Sequence, residues 1–209
     1  MGQGLLQSLG LPLHPQKVSE PTPVFIYGAS TATGTLAVQF AKLVGATVYA
    51  TASPKNHELV KSLGADFVFD YRDPDIGAKI RKESKDSIAL AFDTISEESS
   101  AAISAAALSS KGGHYSALLK IKSPREDVKS NVTIAYSALG EKHSDAFPES
   151  RENWEFGVKF WGLSEGLIND GTIKTHPIDI RGGLKDIPQG LQDLQEGKVS
   201  GAKLVYKIE

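Results

Sequence analysis

The stretch that most constrains this chain is "VFIYGASTATGTLAVQF", residues 24 to 40. A β-rich apolar run enters a glycine-marked turn and leaves it as a helical pattern. Leu36, Phe40 and Leu43, with Ala37 and Ala41, form one apolar stripe, and Gly45 stands where a helix would stop. A strand feeding a helix through such a turn is how a dinucleotide-binding unit begins. Three glycines usually serve that turn: one for the tight bend, one for close approach to a diphosphate, one for helix–strand packing. Here Gly28 and Gly34 remain, and Thr31, Ala32 and Thr33 fill the middle. The hydroxyls of Ser30, Thr31, Thr33 and Thr35 are therefore expected to supplement the helix N-terminal amides as donors to an anion. The same residues also suit a plain helix cap built on Ser30 or Thr31.

Beyond the turn, further strand-like runs are expected at 47–52, 66–70, 88–93 and 113–119, with helical patterns between them. "NHELVKSLG" is one such helix, ending at Gly64. Regular alternation of this kind demands right-handed crossovers and a parallel sheet covered on both faces, the α/β doubly wound (Rossmann) architecture. After residue 130 the rhythm changes. "NVTIAYSAL" reads as a strand, "GEKHSDAFPES" as a loop, and residues 151–171 as a long amphipathic helix stopped by Gly171. Trp154, Val158 and Trp161 share one face of that helix and are expected in the core. A strand–helix–strand segment closes the chain. The expected division is a linker over 1–21, a coenzyme domain over 22–174 and a C-terminal segment over 175–209.

The end of the second strand decides which coenzyme the turn would serve. Enzymes that use NAD commonly carry Asp or Glu there, about 20 residues past the turn, to accept bonds from the ribose hydroxyls. This chain instead has Ser53, Lys55 and Asn56, two neutral hydrogen-bonding groups and a cation, which would welcome a 2′-phosphate. NADPH is the expected coenzyme.

Bulk properties exclude other classes. The 209 residues carry 23 basic and 25 acidic side chains without a long run of either sign, so no nucleic-acid or lipid-headgroup footprint is present. Cysteine is absent, which removes disulfides and thiolate zinc sites, and the five histidines are scattered. No metal site is expected, and His57, His143 and His176 read as surface residues. No apolar stretch approaches the roughly 18 residues of a membrane span, and the N-terminus lacks the pattern of an export signal. A cytoplasmic protein is the expectation.

"STATG", "SPKN", "DYR", "GGHYSAL" and the closing "GKVSGAKLVYKIE" together resemble the medium-chain dehydrogenase/reductase superfamily, and within it the zinc-free fungal trans-acting enoyl reductases. The resemblance runs from about Gly2 to Glu209. It implies that Ser30 to Thr35 hold the diphosphate, that Ser53 to Asn56 with Tyr71 hold the adenosine 2′-phosphate, and that Val199 and Ser200 lie close to the coenzyme. It also implies that residues 133 to 140 line the substrate pocket, and that an α,β-unsaturated acyl chain, carried as a small thioester or on a carrier protein of a polyketide synthase, is the substrate. Such enzymes carry a further β-rich lobe upstream. Without it the tail strand "KLVYKI" is expected to be an unpaired edge that favours a homodimer. No catalytic residue is singled out: Asp93, His114 and Tyr115 lie at strand ends, where structural roles are commoner. An isomerase or cyclase built on the same fold, and a non-catalytic NADP-binding module, stay open as alternatives.

Overall fold

The computed structural model describes residues 1–145 and 148–208; part of the loop expected over 140–150 thus lies outside the described residues. Six strands form one sheet: β1 (Pro23–Tyr27), β2 (Thr47–Ala52), β3 (Phe67–Asp70), β4 (Leu90–Asp93), β5 (Gly113–Ala117) and β6 (Val128–Val132). They run in the order β3-β2-β1-β4-β5-β6, every neighbouring pair parallel. The chain leaves β1 in one direction across the sheet and later returns to pair β4 against the other side of β1. At that reversal the strand ends open a crevice, and ligands of doubly wound sheets bind there.

The helices between the strands are α1 (Ala32–Leu43), α2 (His57–Ser62), α3 (Ile76–Glu83) and α4 (Glu98–Ala107). The period of two along β1 separates the cores on the two sheet faces. Val24 and Ile26 pack with Val38, Phe40 and Phe92, while Phe25 and Tyr27 pack with Tyr49, Ile80 and Tyr115. Gly45 and Gly64 end α1 and α2 at φ +90° and +107°, a backbone conformation that residues with a Cβ avoid.

Three expectations are corrected. The first 21 residues are no linker: Gln3–Ser8 is a wide helical turn, and Leu5, Leu6, Leu9 and Leu11 are buried in the main core. Full burial of one leucine stabilises by about 1.5–3 kcal/mol, so this segment belongs to the domain. The sixth strand lies upstream of its expected place, and of "NVTIAYSAL" only Asn131 and Val132 belong to it, while Ala135–Leu139 coils into a tight helical turn. The third correction concerns α5 (Arg151–Asn169). Trp154, Val158 and Trp161 are 46%, 54% and 70% exposed; the face that meets the core carries Gly157, Phe160, Ser164 and Leu167, with Phe160 packed on Phe40 at 5.2 Å between centroids. Two interleaved apolar stripes compete on this helix, and the one with smaller residues fits against the sheet.

The tail consists of β7 (Ile178–Ile180), α6 (Ile187–Gln195) and β8 (Lys203–Val205). The last strand was expected to lack a partner; β8 in fact pairs parallel with β7, and Arg181 ties the unit together through Asp179 and Asp193.

Candidate functional site

The crevice is built first by the turn after β1. Gly28 takes φ +75°, and an added Cβ there would meet Thr94 Oγ1 at 2.7 Å. The Thr94 hydroxyl, at the end of β4, lies within hydrogen-bonding distance of the carbonyls of Tyr27 (2.8 Å) and Gly28 (2.9 Å), so it fastens the β1 and β4 ends together. Thr31 is the N-cap of α1: its hydroxyl oxygen accepts from the Gly34 amide at 2.9 Å and lies 3.0 Å from the Thr94 hydroxyl. Gly34 has a packing role, since a Cβ on it would lie 2.3 Å from the Gly28 carbonyl oxygen. With Gly34 engaged, the amides of Ala32 and Thr33 are the helix-terminal donors left for an anion.

The hydroxyls divide into two sets. Those of Ser30 and Thr33 make no hydrogen bond among the described residues, and Ser30 lines the crevice, whereas Thr31 is occupied by capping. Thr35 is buried, its hydroxyl placed 3.2 Å from the Ala32 carbonyl and 3.0 Å from His176 Nδ1. Its expected contact with a phosphate oxygen is therefore replaced by a contact inside the fold.

A cleft of about 650 Å³ runs from this turn across the ends of β2 and β3, lined by Tyr27, Gly28, Ser30, Thr31, Ser53, Tyr71, Arg72, Ile95, Glu97, Ile103 and Ser200 among others. Tyr27 and Tyr71 meet edge to face at 6.3 Å, and with Ile95 and Ile103 they supply its apolar walls. Burial, reinforced by the charge of Asp93, pushes the Tyr27 phenol up to about 12. Asn56 is buried; its Nδ2 donates to Ser53 at 3.1 Å and to Ser200 at 2.8 Å. Ser53, Asn56 and Ser200, from distant parts of the chain, thus meet at one wall. Val199 lines an adjoining pocket with Ser30, Thr31 and Ala32. Lys55 is exposed and does not line the cleft. The lining cation is Arg72, which the sequence reading passed over although it follows Tyr71 in the quoted motif. Its Nε and Nη2 bind the Asp70 carboxylate at 3.0–3.2 Å, and Nη1 makes no hydrogen bond among the described residues.

Asp93 and Tyr115, weighed as chemical groups, are both fully buried. Tyr115 donates to Asp93 Oδ2 at 2.7 Å, Ser100 donates to the same oxygen at 2.6 Å, and the Ile95 and Ser96 amides donate to Oδ1 at 2.9 Å. Burial, then the bond to Asp93, raises the Tyr115 pKa far above that of a free phenol. This network secures the β4–α4 turn and has no atom to spare for a ligand. Asp93 reaches α4 through Ser100 rather than by direct capping.

His143 is exposed and stacks on Tyr136, in keeping with a surface residue. His57 and His176 are only half-buried, with His57 Nε2 at 3.2 Å from the Ala52 carbonyl and His176 Nδ1 at 3.0 Å from the Thr35 hydroxyl, so neither is a free surface group. Among the described residues no group of three or more His, Asp or Glu side chains is arranged to hold a metal, and no helix is long and apolar enough to cross a membrane.

A second cavity of about 450 Å³ opens past the end of β6, lined by Gln3, Gln7, Asn131, Thr133, Ser137 and Asn153 among others. Of the segment 133–140 expected to line a substrate pocket, Thr133, Ile134 and Ser137 reach this cavity. Gln3 and Asn153 both donate to the Ser137 hydroxyl at 3.0 Å, so the N-terminal turn, the segment after β6 and α5 share one uncharged polar network.

The zinc-binding dehydrogenase family matches residues 32–148, which carry α1, the part of the cleft wall from Ser53 to Ile103, and β6. The chain belongs to the zinc-binding dehydrogenase family. Among the relatives of this family member is a trans-enoyl reductase of Alternaria alternata, 58% identical over all of this chain and 62% of its own length. Another is a trans-enoyl reductase of Gibberella fujikuroi, 40% identical over all of this chain and 61% of its own. The crystal structure of the CurK enoyl reductase superposes on the whole chain and 59% of its own with a TM-score of 0.75 at 22% identity, which shows a shared fold. The chain spans about three fifths of the length of these two relatives.

Proposed function

We propose that the cleft binds NADPH and that the domain serves an enoyl reductase acting on an α,β-unsaturated, polyketide-type acyl thioester. The observation that carries the coenzyme assignment is the wall beyond β2 and β3: Ser53, Asn56 and the Arg72 guanidinium, its Nη1 unbonded among the described residues, stand there, and β2 ends without a carboxylate. A guanidinium with an unused N–H pair suits a phosphate monoester, and an acid at that place would repel one. Lys55, exposed just past the end of β2, adds a second positive charge on the same connection as Ser53 and Asn56. The Ala32 and Thr33 amides with the Ser30 and Thr33 hydroxyls would hold the diphosphate, and Tyr27, Tyr71, Ile95 and Ile103 would flank the adenine.

Bound reduced nicotinamide supplies the hydride; the protein supplies position, electrostatics and exclusion of water. In this chain the Thr94 clamp and the Thr31 cap fix the turn before any ligand arrives, so the donors need no rearrangement to meet an anion. Because Asp93 and Tyr115 are consumed by their own network, neither is assigned as proton donor. The neutral cavity beyond β6, on the same sheet edge as the cleft, is suited to the amide-bearing portion of a carrier-linked substrate. The relatives' names support the reaction class, and a polyketide synthase is accordingly the proposed partner; self-association through the exposed tail residues Ile178, Ile180 and Leu184 is a separate expectation, read by light scattering.

The test is consumption of NADPH, followed by its absorbance, on adding an enoyl thioester. Thioester-dependent oxidation of the coenzyme supports the proposal. Tight NADPH binding with no turnover on a panel of enoyl thioesters would reduce the assignment to coenzyme binding, and product formed with NADPH omitted would replace it with an isomerase or cyclase.

A further inference from the structure

The tail contributes a titratable group to the same region of the fold. His176, two residues before β7, lines a pocket of about 460 Å³ together with Ser30, Thr31 and Ala32 of the phosphate turn and with Ser200 and Lys203 of the tail. We propose that His176 is a positioning residue of the diphosphate wall, and that it takes up a proton when a dinucleotide occupies the cleft. This rests on the coenzyme reading above.

The argument starts from Thr35. Its single hydroxyl hydrogen has two neighbours, the Ala32 carbonyl oxygen at 3.2 Å and His176 Nδ1 at 3.0 Å. A carbonyl oxygen only accepts, so when Thr35 donates to Ala32 its oxygen accepts from an Nδ1–H. Nε2 is then the ring atom left for the pocket. On a neutral ring of that tautomer the atom is a lone pair, which repels a diphosphate; the other neutral tautomer presents an N–H there only by turning the Thr35 hydrogen from Ala32 to Nδ1. On a protonated ring it is an N–H, and all three groups are satisfied together. An anion at the turn therefore selects the charged ring.

The surroundings place the group on the neutral side when the pocket is empty. Burial, and then the positive charge of Lys203, hold the His176 pKa below its ordinary value. Lys203 on β8 is the charged group lining this pocket. The first two turns of α1, across the ring, carry no charge, and Lys174 on its own segment is exposed with its backbone tied to Gln39 at 2.8 and 2.9 Å. A diphosphate brings negative charge against the ring and raises its pKa. A group neutral in the free protein and charged in the complex makes affinity rise as pH falls, by a factor approaching about ten per pH unit between its two pKa values.

Calorimetric titration of NADPH in two buffers of different ionisation enthalpy counts the protons exchanged. The coenzyme's own 2′-phosphate titrates near pH 6, so the reading is the difference between the unmutated chain and His176→Gln. Proton uptake in the unmutated chain exceeding that of the variant, with affinities that converge above about pH 8 and diverge several-fold near pH 6, is the expected result. Equal uptake and parallel affinity profiles would overturn the role of His176 while leaving the coenzyme reading intact; absence of binding by the unmutated chain would overturn both. Nuclear magnetic resonance titration of the imidazole in the unmutated chain gives a readout free of any folding defect: its pKa rises on adding NADPH, and an unmoved pKa refutes the proposal.

Discussion

Two glycines, both inside helices, should respond in opposite directions to the same added methyl group. At Gly34 a Cβ would lie 2.3 Å from the Gly28 carbonyl oxygen, 2.7 Å from Ala29 Cα and 2.9 Å from Ala29 C, all backbone atoms of the phosphate turn, where ordinary contact begins at 3.4 Å. The first turn of α1 must therefore withdraw from β1 by about 1 Å. Overpacking of this kind costs about 1–3 kcal/mol, against about 1 kcal/mol gained from the better helix propensity of alanine. Gly34→Ala should consequently lose up to about 2 kcal/mol and carry the Ala32 and Thr33 amides away from their aim, lowering NADPH affinity by about tenfold. At Gly162, on the open side of α5, nothing lies within 4 Å of the added carbon. Gly162→Ala should gain up to about 1 kcal/mol and leave binding unchanged. Urea denaturation measures the two stabilities and calorimetry the two affinities. A Gly34→Ala protein as stable as its parent, binding NADPH as well, would refute the role given to that close approach.

Other substitutions separate the remaining elements. Tyr115→Phe should cost about 1.5–3 kcal/mol in urea denaturation, because it strips one donor from a buried carboxylate, without changing the NADPH affinity. On α5, Trp161→Ser should stay within about 0.5 kcal/mol of the parent, and Phe160→Ala should lose about 2–3 kcal/mol; the reverse order would return the tryptophan face to the core. Burial lowers the pKa of both His114, aided by Lys129, and His176, aided by Lys203. A histidine whose folded pKa lies below its unfolded value contributes its full stability above about pH 6.5 and loses it as pH falls. The ligand-free protein should therefore melt at a lower temperature at pH 5 than at pH 7, and His114→Gln should flatten that dependence in a thermal scan.

Elements defined by local signals were legible in the sequence, and those decided by competition were not. β1, α1 and their turn could be read because an apolar strand, a capping threonine and Gly28 all point one way, and Gly45 marks the stop. The exposed stripe on α5 was misread because Trp154, Val158 and Trp161 repeat at the same helical spacing as Gly157, Phe160, Ser164 and Leu167; periodicity finds both faces, and only close fit against the sheet selects one. In the site, Ser53, Asn56 and Ser200 were named from motifs, and the structure shows the hydrogen bonds that join them. Arg72 was missed because its carboxylate partner Asp70 lies two residues away and makes a local ion pair the natural reading. The bond between Thr35 and His176 spans 141 positions, and no local pattern announces a contact of that separation.

The central claim is that the turn after β1 holds a diphosphate while the wall beyond β2 and β3 selects the coenzyme that carries an additional phosphate. Calorimetric titration of the folded chain with NADPH and with NADH tests it most directly. The account predicts saturable binding of NADPH, at least about tenfold tighter than that of NADH, with the preference reduced in Arg72→Gln. Equal affinity for the two coenzymes would contradict the selecting wall, and no heat with either on well-folded protein would contradict the site itself.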